Sequence, residues 1–187
     1  MVQLKKENEI EVKYATPLMY AVALSSRNVA KILLQEGADA DAINSGGATS
    51  LMIAAALGDR VLVNLLLAFG ASTDDQLEVT SFLIPPGCGS GGKAASVAKW
   101  LPGDASGTTA LWLAACAGNA AAVKRLLGAG ADTGLEASCE NLPGAEKNEN
   151  CTPYRAAELL GKSEVMALFE EDEQGGPASA SSGKGVR

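Results

Sequence analysis

Residues 49–75, TSLMIAAALGDRVLVNLLLAFGASTDD, decide how this chain folds, because the same pattern occurs three more times. It appears as TPLMYAVALSSRNVAKILLQEGADADA from Thr16, as TALWLAACAGNAAAVKRLLGAGADTG from Thr109 and as TPYRAAELLGKSEVMALFEE from Thr152. Thr16 and Thr49 lie 33 residues apart with no gap. The next two spacings, 60 and 43, exceed that period by 27 and 10 residues, so two insertions interrupt a regular array. Self-similarity at a period of this size signals stacked supersecondary units, none of which can bury its apolar face alone.

Each column of the repeat has a physical reason. The leading threonine is a helix N-cap whose hydroxyl can accept an orphan backbone N–H, and Pro17 and Pro153 follow at the favoured first helical position. Ala21, Ala54, Ala114 and Ala157 form a small-residue column that lets neighbouring helices approach closely. Gly58, Gly118 and Gly161, with Ser25 in the first copy, end the first helix and turn the chain. The second helix then places Leu33, Leu66, Leu126 and Phe169 in one column, with Val29, Leu62, Ala122 and Val165 four residues earlier on the same face. Gly37, Gly70 and Gly130 follow the second helix.

These residues closely resemble the ankyrin repeat: a TPL-x-x-A opening, a glycine, a V-x-x-LL run and a GAD ending. The resemblance implies an all-α solenoid of about four helix–turn–helix repeats with two loop insertions. Its repeats would lie near residues 16–44, 45–75, 104–134 and 147–173, and its insertions near 76–103 and 135–146. One departure is consistent. Met19, Met52, Trp112 and Arg155 replace the family's usual histidine, so the polar tie given by that histidine is expected to be missing and local order to be weaker.

The ends of the array follow from polarity. Copy four places Glu158 where earlier copies have Val22, Ala55 and Ala115, and Glu170 where they have Leu34, Leu67 and Leu127. A solenoid needs such a polar outer face at its terminus. Residues 175–187 are Gly/Ser-rich without apolar period and are expected to be a disordered tail. Residues 1–15 hold no full repeat and form an N-terminal extension, in which alternating Ile10, Val12 and Tyr14 suggest a short strand or hairpin. Copy one therefore begins with an apolar helix that its own chain covers thinly.

The second insertion is polar, carries Pro143 and Gly144, and reads as an exposed loop. The first contains Phe82, Leu83, Ile84 and Trp100 and is expected to fold against the array or a partner. Within it, Gly87 to Lys93 matches part of a phosphate-binding loop. Ala94 replaces the hydroxyl residue that would bind Mg²⁺, and the insertion is too short for the parallel sheet such a loop needs.

Composition narrows the function. A net charge of −7 disfavours nucleic acid and anionic membranes as partners. The chain has no histidine, which excludes every His-based triad, general base and metal site. Cys88, Cys116, Cys139 and Cys151 never approach CxxC spacing and read as free thiols of a reducing, cytoplasmic setting. No apolar run approaches the roughly 18–20 residues needed to span a bilayer. No cofactor, metal or enzymatic activity is expected.

The family's geometry implies that residues seven and eight after each leading threonine face the concave groove. Here they are Ala23 and Leu24, Ala56 and Leu57, Cys116 and Ala117, and Leu159 and Leu160. An apolar ladder of this kind suits a partner helix or extended segment. Asp39, Asp41, Asp74, Asp75 and Asp132 would add an acidic finger rim favouring a basic partner. The expected function is a protein–protein interaction module, a scaffold or subunit of a larger assembly. Its contact residues would be the ladder, Asp41, Asp74 and Trp100. A regulatory inhibitor that occludes a partner's active surface would have the same sequence, and nucleotide binding at Gly87–Lys93 is a further alternative.

Overall fold

A threonine hydroxyl can replace one lost intrahelical bond, and all four leading threonines use theirs in this way. In the computed structural model, which describes residues 15–44, 47–77, 106–139, 142–146 and 149–175, Thr16, Thr49, Thr109 and Thr152 each start a helix. Their Oγ1 atoms accept the backbone N–H of Met19, Met52, Trp112 and Arg155 at 3.2–3.3 Å. The first helices of the copies are α1 (Pro17–Ala23), α3 (Ser50–Leu57), α5 (Ala110–Ala117) and α7 (Pro153–Leu159). The second helices are α2 (Arg27–Gln35), α4 (Arg60–Ala68), α6 (Ala120–Leu127) and α8 (Ser163–Gly175).

Packing repeats with the sequence. Each first helix contacts its own second helix and the first helix of the next copy, and each second helix contacts the next second helix. The stack is continuous across both insertions, since α3 packs directly on α5 and α5 on α7. The alanine column Ala21, Ala54, Ala114 and Ala157 is buried throughout, as close helix approach requires. Leu62, Leu66, Ala122, Leu126, Val165 and Phe169 are buried in the second-helix layer. Glu158 and Glu170 are exposed on α7 and α8.

Copy one departs from the column assignment. Val29 is 51% exposed, whereas Leu62, Ala122 and Val165 in the same column are buried. This column faces the preceding copy, and no helix pair precedes α1 and α2 among the described residues. The buried side of α2 is instead Ala30 and Leu34, which face inward, while Ile32 is 57% exposed.

The second insertion is not the open polar loop expected of it. Ala137–Ser138 (β1) and Asn150–Cys151 (β2) pair antiparallel, Ala137 opposite Cys151 and Ser138 opposite Asn150. Ala137, Cys139 and Leu142 are buried. A disulfide joins Cys139 to Cys151, with their Cα atoms 5.8 Å apart. This corrects the reading of four free thiols: among the described residues only Cys116 is free, and it is buried. Spacing gave no hint of the bond, because the hairpin rather than proximity in sequence brings the two cysteines together.

Residues 78–105, with Trp100 and the Gly87–Lys93 loop, lie outside the described residues, as do 1–14 and 176–187. Among the described residues, no helix is long and apolar enough to cross a membrane.

Candidate partner-binding surface

The ladder residues differ in accessibility, and part of the expected strip is closed. Ala23, Ala56, Leu57 and Cys116 are buried, so in this conformation they cannot touch a partner. Position seven lies in the seam where successive first helices close on one another, and small side chains there tighten the seam at the expense of a contact surface. Ala117, Leu159 and Leu160 are half-buried. Leu24, at the end of α1, is 61% exposed. Burial also pushes the Cys116 thiol far above its ordinary pKa, so that this sulfur stays protonated and unreactive.

The turns between first and second helices carry an ordered set of polar contacts. The Asp59 carboxylate accepts the N–H groups of Val61 and Leu62, capping α4, and also receives Nε of Arg27 from the preceding copy at 3.0 Å. The equivalent residue of copy three, Asn119, reaches back instead. Its Nδ2 donates to the carbonyls of Ala55 and Ala56 at 2.9 and 3.1 Å, satisfying acceptors at the end of α3. A Cβ on Gly58 would meet that amide at 2.5 Å, so a larger residue there would displace the Asn119 side chain, and the φ of 69° also favours glycine. Beside these turns lies an open groove of about 490 Å³ lined by Arg27, Leu57, Asp59, Arg60 and Val61. Val61, at its edge, is 44% exposed.

Of the finger aspartates, Asp39, Asp41, Asp74 and Asp132 are exposed and Asp75 is half-buried, and two of them tie copy to copy. Asp41 Oδ1 accepts the Ser72 N–H at 2.7 Å, and Asp74 Oδ1, 33 residues on, accepts the Asp132 N–H at 2.9 Å. Asp39 and Asp132 each accept an N–H two residues ahead within their own finger. Each of these four carboxylates accepts one N–H, so the acidic rim is also part of the finger structure. The repeat period could have revealed this, since the donor and acceptor positions recur together in successive copies.

The missing-histidine expectation also needs correction in copies three and four. Trp112 Nε1 donates to the Cys151 carbonyl at 3.1 Å, so a buried indole supplies a tie from the position the histidine would hold. Arg155 binds Glu149 at 3.2 Å and Glu158 at 2.7 Å. The Glu149 carboxyl is held below the usual carboxylate range, first by the Glu146 backbone N–H and then by Arg155. Its neighbour Arg155 is shifted upward, chiefly by Glu158. Cys139, Glu149 and Cys151 bring three potential ligand atoms together, yet they do not fit a cation in this arrangement. The two sulfurs are bonded to each other, and the two Glu149 oxygens accept from Arg155 and from the Glu146 N–H.

Stacked helix pairs joined by fingers, with exposed apolar and charged residues along their edges, define a helical-repeat solenoid. A family model of ankyrin repeats in three copies matches residues 2–77, and a single ankyrin-repeat model matches residues 106–137. The chain belongs to the ankyrin-repeat family, whose members generally bind other proteins. No curated protein matches it.

Proposed function

We propose that this chain is a non-enzymatic protein-binding array, serving as a scaffold or a subunit of a larger assembly. Its partner, a helix or extended segment with basic side chains, crosses the helix-turn edge at Leu24 and Val61 and reaches the acidic fingers at Asp41 and Asp74. The observation that carries this reading is the placement of apolar exposure. The interior is closed, yet Leu24 and Val61 stand open on successive copies, Val61 beside the groove at Arg60. Leu159 and Leu160, half-buried on copy four, extend the contact in that direction.

The cytoplasmic location expected from the sequence is kept as part of this proposal, with the free-thiol argument for it no longer applying to Cys139 and Cys151.

The test uses charge without disturbing the ties. In an Asp41→Asn/Asp74→Asn variant the side-chain oxygens still accept the finger N–H groups, while the rim loses two negative charges. Crosslinking and mass spectrometry in native extract identify the partner, and binding of that partner is then compared across salt concentrations. The variant is expected to bind more weakly, with a flatter salt dependence and an unchanged melting temperature. Unchanged affinity would remove the basic partner from the reading, and a Leu24→Ser/Val61→Ser variant that binds normally would remove the edge. Scaffold and inhibitor differ in what binding does to the partner's activity, so an activity assay on the captured partner separates them.

A further inference from the structure

We propose that the Cys139–Cys151 disulfide is a redox-operated latch that holds copy four onto copy three. Two independent placements argue for it. Cys151 is the last residue of β2, and the next residue, Thr152, is the N-cap of α7, so whatever holds Cys151 sets where copy four begins. Its carbonyl also accepts the Trp112 indole N–H from copy three, which puts the covalent link and the inter-copy hydrogen bond on one residue.

The other end of the link is equally anchored. Cys139 follows β1, its N–H donates to the Glu149 carbonyl at 3.1 Å, and the Ser138 N–H donates to the Ser106 carbonyl at the start of copy three. The disulfide thus closes the hairpin that leads into copy four across a sequence separation of 12, and the Trp112 contact ties that closed hairpin to copy three. Opening it leaves the start of copy four held by short strand pairing, the Trp112 contact and the packing of α7 and α8.

The chemistry is thiol–disulfide exchange with a dithiol. A thiolate of the reagent attacks one sulfur, the Cys139–Cys151 bond breaks, and a mixed disulfide forms. The reagent's second thiol then resolves it. Two electrons and two protons pass to the protein, leaving two cysteine thiols and an oxidised, disulfide-bonded reagent. Both cysteines are buried, so exchange waits on local opening of the hairpin. Cys116 does not compete, because its thiol is buried and stays protonated.

The experiment uses the full chain with Cys88→Ser, which keeps the fourth cysteine from shuffling. Alkylation with mass spectrometry, with and without dithiothreitol, is expected to show Cys139 and Cys151 blocked before treatment and labelled after it. Native-state hydrogen exchange on the same samples then reads the latch. Reduction is expected to speed exchange in α7 and α8 roughly tenfold or more while α3 and α4 hold their protection. A Cys139→Ser variant is expected to show the fast pattern without reductant and no further response to it. Should that variant fail to fold, the oxidised and reduced chains decide by themselves. Free Cys139 and Cys151 in the untreated protein would overturn the proposal. So would unchanged exchange in α7 and α8 after verified reduction, or an equal acceleration in every helix.

Discussion

Ser25 occupies a left-handed backbone conformation, φ 53°, where the other three copies place Gly58, Gly118 and Gly161 at φ 69°, 73° and 65°. An L side chain there costs about 1–2 kcal/mol, partly offset by the greater freedom of glycine in the unfolded chain. Ser25→Gly is therefore expected to stabilise the protein by about 1 kcal/mol or less, raising the melting temperature by roughly 2–4 °C per kcal/mol. A lower melting temperature would mean that the hydroxyl makes a contact worth more than the strain. Glu149 gives a second residue-scale expectation. Its carboxyl is held below the ordinary range by the Glu146 N–H and Arg155, so its stabilising effect is present above its unfolded pKa. That contribution is lost as pH falls through the folded value. Glu149→Gln should melt below wild type at neutral pH, and the two curves should converge in acid; a gap that widens in acid would show the sign to be wrong. Nothing in the local sequence around Glu149 revealed this role, because Arg155 and the Glu146 backbone reach it only once the hairpin has closed.

At the scale of elements, the second helices show how a repeat column takes its meaning from its neighbours. Leu62 and Val29 are aligned, yet Leu62 is fully buried and Val29 is half open. Leu62→Ala is expected to cost about 2–5 kcal/mol, the usual range for emptying a packed leucine site. Val29→Ala should stay within about 0.5 kcal/mol, as surface substitutions do. Denaturant melts of the two variants check this directly, and a cost for Val29→Ala close to that of Leu62→Ala would show that copy one has a cover on that face. The helices were legible because capping threonines, alanine seams and leucine rows recur at fixed offsets. The hairpin was not, because two-residue strands have no period to read and Ala137, Cys139 and Leu142 are scattered among polar residues.

Across the whole molecule, the array tolerates interruption because the contacts that join one copy to the next are between successive first helices and successive second helices, not between residues adjacent in sequence. The α3–α5 and α4–α6 contacts span the longer insertion. Deleting Gly87–Ala94 is accordingly expected to leave the melting temperature within a degree or two of wild type, since shortening a long connection changes its closure entropy by well under about 1 kcal/mol. A large loss of stability would place that segment in the core. Copy four shows the same independence. The family models end at residue 137, while the structure adds a full helix pair beyond it, docked through α5–α7 and α6–α8 contacts.

By itself the sequence determined the repeat, its paired helices, the threonine that caps the first helix of each copy, the alanine seam and the leucine layer. All of these follow from local propensity and from periods that one chain displays openly. Tertiary structure alone decided which faces stay open. It closed Ala23, Ala56, Leu57 and Cys116 away from solvent and left Leu24 and Val61 exposed. It bonded Cys139 to Cys151 and paired the Trp112 indole with the Cys151 carbonyl. The reason is physical: periodicity records which residues share a face, but accessibility, pairing and bonding depend on what the next copy brings against that face.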